Sequence, residues 1–202
     1  MNAHTERLTI PGPSGPLECA IDRPEGVARG LVVIAHPHPL HGGTMDNKVA
    51  QTLARGFVQR GWRSVRFNFR GVGASAGAWD AGRGEVEDML AVVAHHRESG
   101  EPLALAGFSF GAFVASHVAA RVGHDQVERL VLVGPATSNF QVAPVPEHTL
   151  VIHGESDEVV PLAATLDWAR PQHLPVVVVP GVGHFFHGQL TLLKNLVVRA
   201  LA

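Results

Sequence analysis

Gly107-Phe108-Ser109-Phe110-Gly111 is the stretch of this 202-residue chain with the clearest capacity for chemistry. A serine hydroxyl is a poor nucleophile at its ordinary pKa. It needs a base within hydrogen-bond reach and a third group to orient that base. Here the serine sits in a G-x-S-x-G pattern, between an apolar run at 103–106 and helical spacing from residue 112 onward. In a strand–turn–helix context this pattern lifts the serine onto a sharp turn. The residues two away on either side must then be small, because strand and helix approach closely. The turn also brings the N–H of Phe110, the next residue, to a helix N-terminus, where it can bond a developing oxyanion.

The partners of such a serine follow it in the order acid then histidine, each on a loop beyond the C-terminal end of a strand. Thr149-Leu150-Val151-Ile152 reads as a strand, and His153-Gly154-Glu155-Ser156-Asp157-Glu158-Val159-Val160-Pro161 follows it. Three carboxylates compete there by chemistry, at 155, 157 and 158, and Asp157 could instead cap a helix starting near Pro161. After the valine run at 176–179 comes Gly181-Val182-Gly183-His184-Phe185-Phe186. His184 has the order, the loop position and the spacing of a general base. His187 ranks second, because the pattern places it inside the last helix.

These residues need a scaffold that presents several loops at one edge. Short runs rich in Val, Ile and Leu recur at 31–35, 64–69, 103–106, 130–133, 150–152 and 176–179. Apolar runs of that length bounded by Gly or Pro read as strands buried on both faces. Between them, helical spacing marks Val49, Leu53, Phe57 and Val58, then Val86, Met89, Leu90 and Val93, then 112–122, 162–169 and 190–201. The alternation predicts an α/β fold, a mostly parallel twisted sheet with helices on both faces. Residues 8–10 and 17–21 flank a turn-forming stretch at 11–16 and read as an antiparallel hairpin on the sheet's edge. Residues 134–147 carry three prolines and read as a loop, so residues 1–202 are expected to form a single domain.

Composition narrows the partners. Sixteen basic and eighteen acidic residues give a net charge of −2 without a Lys/Arg cluster, so no nucleic-acid partner is expected. The N-terminus lacks a basic start followed by an apolar core, and no apolar run approaches the ~20 residues of a membrane helix. A cytoplasmic protein without membrane association is the expectation. Cys19 is the one cysteine, which excludes an internal disulfide. His36, His38 and His41 raise the possibility of a metal site, but only Asp46 lies near enough in sequence to add a ligand. No metal and no cofactor are expected.

With these motifs assembled, the chain resembles the α/β-hydrolase superfamily over nearly its whole length, most of all the small bacterial lidless serine hydrolases. The likeness extends to His36-Pro37-His38-Pro39-Leu40-His41-Gly42-Gly43 with Asp46-Asn47-Lys48, and to Arg66-Phe67-Asn68-Phe69-Arg70-Gly71-Val72-Gly73-Ala74-Ser75. It implies the α/β-hydrolase fold without a lid domain. Its G-x-x-D-x-x-V-P pattern selects Asp157 as the acid, giving a triad of Ser109, Asp157 and His184. Phe110 should supply one oxyanion N–H. The second comes from the 36–43 loop, where Pro37 and Pro39 have none to give; the resemblance puts it at His38, with Leu40 the alternative. Arg66 and Arg70 are expected in salt bridges rather than on a substrate anion. The activity implied is hydrolysis of a small ester or thioester through an acyl-enzyme. Peptidase, dienelactone-type hydrolase and acyltransferase are variants within the class, and a catalytically idle binding module is the alternative outside it.

Overall fold

In the computed structural model, which describes residues 5–202, the apolar runs become strands β3 (Gly30–Ala35), β4 (Trp62–Phe67), β5 (Leu103–Phe108), β6 (Val127–Val133), β7 (Leu150–Gly154) and β8 (Val176–Val179). Before them come β1 (Glu6–Gly12) and β2 (Gly15–Asp22). The first four residues of the N-terminal stretch lie outside the described residues. The strands form one sheet in the order β1-β2-β4-β3-β5-β6-β7-β8. β1 runs antiparallel to β2 and β2 antiparallel to β4; every other pairing is parallel. The fold is that of the α/β-hydrolases, and the edge hairpin is present. Its turn is tighter than the 11–16 stretch suggested, because Gly12 pairs with Gly15 and leaves only Pro13 and Ser14 between the strands.

The helices are α1 (Lys48–Gln59), α2 (Arg83–His96), α3 (Phe110–Val122), α4 (Leu162–Ala169) and α5 (Leu190–Ala200). Every residue of β3 and β5 is buried, and alternate side chains feed opposite layers. Leu31, Val33, Leu103 and Leu105 pack with apolar residues of α2 and α3. Val32, Ile34, Ala104 and Ala106 pack with those of α1 and α5. Because β4, β3, β5, β6, β7 and β8 run parallel, their C-terminal ends lie along a single rim, where α/β sheets bind ligands.

β4 ends two residues earlier than its apolar pattern predicts, and the reason is functional geometry. The Phe69 N–H donates to Nε2 of His36 at 3.1 Å, while Asn68 Oδ1 accepts the Met45 N–H at 2.8 Å. These residues therefore tie two rim loops together instead of extending the ladder. Both arginines of that segment are in ion pairs. Arg70 grips the fully buried Asp88 through Nε at 3.0 Å and Nη2 at 2.8 Å. Arg66 reaches Asp22 at 3.1 Å, Asp46 at 3.3 Å and the Met45 carbonyl at 2.7 Å. Among the described residues no helix is long and apolar enough to cross a membrane.

Candidate active site

Ser109 is the hinge between β5 and α3, at φ 57° and ψ −115°. For a residue with a Cβ that conformation costs on the order of 1–3 kcal/mol, so its surroundings must enforce it. They do. The Ser109 N–H donates to the Val133 carbonyl at 2.9 Å, fastening the turn to β6. A Cβ on Gly107 would run into the Gly111 carbonyl, and one on Gly111 into the carbonyl oxygens of Ala35 and His36. Both glycines of the motif are thus required by close backbone approach. The Phe110 N–H, the first of α3, finds no acceptor among the described residues.

The other two residues of the expected triad are brought together, 27 positions apart in sequence. Nδ1 of buried His184 lies 2.6 Å from Oδ2 of buried Asp157. The second oxygen, Oδ1, accepts the N–H groups of Val159 at 2.9 Å and Val160 at 2.8 Å, so the carboxylate closes its own loop rather than capping α4. Burial alone would raise the Asp157 carboxyl. The bonds from His184 and these two N–H groups outweigh it and hold the group below the ordinary aspartate value. With that carboxylate ionised, Nδ1 is the donor in this contact, and Nε2 makes no hydrogen bond among the described residues. The imidazole rests against the Phe108 ring, 4.8 Å between centroids, one residue from Ser109. The Ser109 hydroxyl makes no hydrogen bond to His184 in this state; such bonds commonly tighten only once substrate is bound.

The rival residues fall elsewhere. Glu155 is exposed and accepts the Gly181 N–H at 2.9 Å, and the exposed Glu158 side chain makes no hydrogen bond among the described residues. His187 does not enter the last helix, which begins at Leu190; it is exposed and stacks on Phe185. The helix begins at Leu190, where its spacing places it, and left-handed backbone at Phe186, φ 52°, and Gly188, φ 73°, keeps His187 out of it.

Two residues that sequence reasoning passed over touch the Asp157–His184 pair. His153 at the end of β7 is fully buried, and its Nε2 lies 2.9 Å from the Val160 carbonyl and 3.5 Å from Asp157 Oδ2. A second imidazole thus faces the same carboxylate. Burial lowers its pKa, against the Val160 carbonyl and Asp157, which both raise it, so it stays neutral. Gly134, with φ +48°, backs the pair from the end of β6. A Cβ there would lie 3.3 Å from Cε1 and 3.4 Å from Nδ1 of His184. Gly134→Ala should push the ring by a few tenths of an ångström and lower kcat roughly tenfold, since small misplacements of reacting groups are expensive. Steady-state kinetics alongside a thermal melt would separate this from simple unfolding.

The 36–43 loop is organised by its histidines. His36 is buried, gives its Nδ1–H to the Pro37 carbonyl at 2.6 Å and accepts the Phe69 N–H on Nε2. Both nitrogens are committed, and burial pushes its pKa down to about 4, only partly opposed by the Pro37 carbonyl. No group of three or more His, Cys, Asp or Glu side chains is placed to hold a metal ion among the described residues. The Leu40 N–H is occupied by Nδ1 of His38 at 3.2 Å, whereas the His38 N–H has no acceptor among the described residues. Of the two candidates for the second oxyanion donor, only His38 has its N–H free.

The neutrality of His36 gives a stability signature. Its pKa falls on folding from 6.5 to about 4. The unfolded chain therefore binds more protons in between, and the contribution, full above about pH 6.5, is lost as pH falls toward 4. The whole effect is about 3 kcal/mol. In an NMR titration the His36 ring should keep its neutral shifts until about pH 4, and His36→Asn should lose less stability than the unaltered protein between pH 7 and 4.5.

A family model described as serine aminopeptidase, S33, matches residues 26–148, more than half of the chain. An α/β serine hydrolase homologue from Coxiella burnetii is 46% identical, covers 98% of this chain and 97% of its own, and superposes with a TM-score of 0.86. The chain belongs to the α/β serine hydrolases. A lidless α/β serine hydrolase from Xanthomonas campestris is 36% identical over 100% of this chain and 95% of its own, with a TM-score of 0.91. An uncharacterized protein of Rickettsia prowazekii is 28% identical over 87% of this chain and 79% of its own length. In this α/β serine hydrolase the β6–β7 connection carries no helix, and it is pinned rather than hinged. Its backbone is bonded to side chains beneath it: Gln141 O to His117, Val142 O to Trp168, Ala143 N to Ser116 and Val145 N to Gln172.

Proposed function

We propose that the protein hydrolyses carboxylic esters and thioesters of small substrates through an acyl-enzyme, with Ser109 as nucleophile, His184 as base and Asp157 as its orienting acid. The observation that carries this reading is the buried 2.6 Å contact of His184 Nδ1 with Asp157 beside an elbow serine held at positive φ. Ser109 Oγ attacks the carbonyl carbon as His184 Nε2 takes its proton. The tetrahedral oxyanion is met by the free N–H groups of Phe110 and His38. As the intermediate collapses, His184 returns the proton to the departing alcohol or thiol. Water then repeats the cycle on the acyl-serine and releases the acid. No metal or cofactor enters these steps.

Turnover of a butyryl ester and thioester, compared with the matching amide, tests the assignment. Rapid cleavage of the first two supports it. Amide cleavage at comparable rate would favour the peptidase reading that the family model's description suggests, and an inert protein would favour a binding module. The pinned β6–β7 loop adds an expectation for linear acyl chains. With no mobile cover, esters of about two to six carbons should outperform long ones, and rates should show no jump above the substrate's solubility limit. Sustained preference for chains beyond roughly twelve carbons, or interfacial activation, would contradict the open site.

A further inference from the structure

Three loops from different strands each place one half-buried ring beside the nucleophile turn. They are His38 after β3, Trp79 after β4 and Phe140 after β6. The rings converge on Phe110, the residue after Ser109. Centroid separations to Phe110 are 5.2 Å for His38, 5.0 Å for Trp79 and 5.1 Å for Phe140. His38 also lies 4.5 Å from Trp79. Burial, reinforced by neighbouring His41, lowers the His38 pKa, so this wall is uncharged at neutral pH. The ring neighbours of His184 are different ones, Phe108 and Phe185.

The reaction itself decides which half of a substrate meets this wall. If His184 protonates the leaving oxygen, as proposed, the alcohol half lies on the His184 side with the exposed Phe185. The acyl half stays on Ser109 and extends the other way, under the His38 backbone donor. We propose that His38, Trp79 and Phe140, backed by the fully buried Phe110, form an acyl-side site for a flat aromatic group, making aryl-acyl esters the favoured substrate class. This rests on the esterase reading above. Aromatic pairs at separations of 4.5–7 Å add interaction beyond area burial, and an inserted ring extends an array already at that spacing. A linear chain gains only the area it covers on an open wall, whereas a ring is compact enough to be held there.

The test uses ethyl phenylacetate and ethyl cyclohexylacetate. A methylene separates ring from carbonyl in both, and the saturated ring is the more apolar; because the phenyl group also activates its ester inductively, each kcat/KM is divided by that ester's own alkaline hydrolysis rate before the two are compared. The phenyl ester should be favoured in kcat/KM by roughly three- to tenfold, the ratio that ring pairing confers. Trp79→Leu and Phe140→Leu should each bring that ratio toward one. The alcohol-side pair, benzyl acetate and cyclohexylmethyl acetate, should show no comparable preference. Equal or faster turnover of ethyl cyclohexylacetate by the unaltered protein overturns the proposal. So does a phenyl preference that survives in both variants, or one that appears only on the alcohol side. If neither acid ester is cleaved, the esterase reading fails separately. Saturation-transfer NMR then reads the wall alone: phenyl protons of ethyl phenylacetate should be saturated with the unaltered protein and not with the Trp79→Leu, Phe140→Leu double variant. Absence of transfer to the unaltered protein would dismiss the aromatic site as well.

Discussion

Ser109→Ala should fold normally and take up no fluorophosphonate, while the unaltered protein is labelled on one serine. The reagent phosphonylates a hydroxyl activated by a neighbouring base, which on the proposed assignment is His184, whose ring rests on Phe108 beside Ser109 in the chain. Removing Oγ strands no partner, since Ser109 Oγ makes no hydrogen bond in the described chain. Alanine retains the Cβ, so the backbone strain at φ 57° is unchanged. Stability should therefore stay within about 0.5 kcal/mol. Ester turnover should fall roughly a millionfold, the scale seen when a triad serine is removed from a protease. Undiminished labelling of the alanine variant, read by intact-protein mass, would show that another residue is the nucleophile.

Asp157→Asn should be nearly as damaging to turnover without removing the nucleophile. The hydrogen bonds determine how the amide must sit. Oδ1 faces two donors, the N–H groups of Val159 and Val160, so the amide oxygen has to occupy that position. The amide nitrogen is then turned to Nδ1 of His184 and donates to it. The imidazole proton moves to Nε2, the atom that should accept the serine proton, and the base is lost. The same change in a serine protease triad lowers kcat by ~10⁴, and a loss of that order is expected in ester turnover. Glu155→Gln and Glu158→Gln should lose little, because both side chains are exposed and neither touches His184. A Glu155→Gln variant as crippled as Asp157→Asn would move the acid to a different carboxylate of the loop.

Local patterns in the chain were enough for the alternation of elements and for naming candidate groups on three loops. Apolar runs such as 31–35 and 103–106 read as strands buried on both faces, and the glycines at 107 and 111 allow the close strand–helix approach of a tight turn. Such constraints act over a few residues, so they are visible in order and spacing. The early end of β4 was not visible, because Asn68 and Phe69 answer to Met45 and His36 on another loop. Nor was the escape of His187 from the last helix, which follows from left-handed backbone at Phe186 and Gly188. The choice between His38 and Leu40 turned on a side chain folding back onto one N–H. His153 and Gly134 reach the Asp157–His184 pair from other strands, and the rings at 38, 79 and 140 meet only where three loops share one rim. Sequence by itself determined which groups could react and in what order they follow the strands. Tertiary structure decided which N–H groups remain free, which second imidazole faces the acid and which rings gather on one rim, because each depends on atoms brought within a few ångströms by the sheet's crossovers.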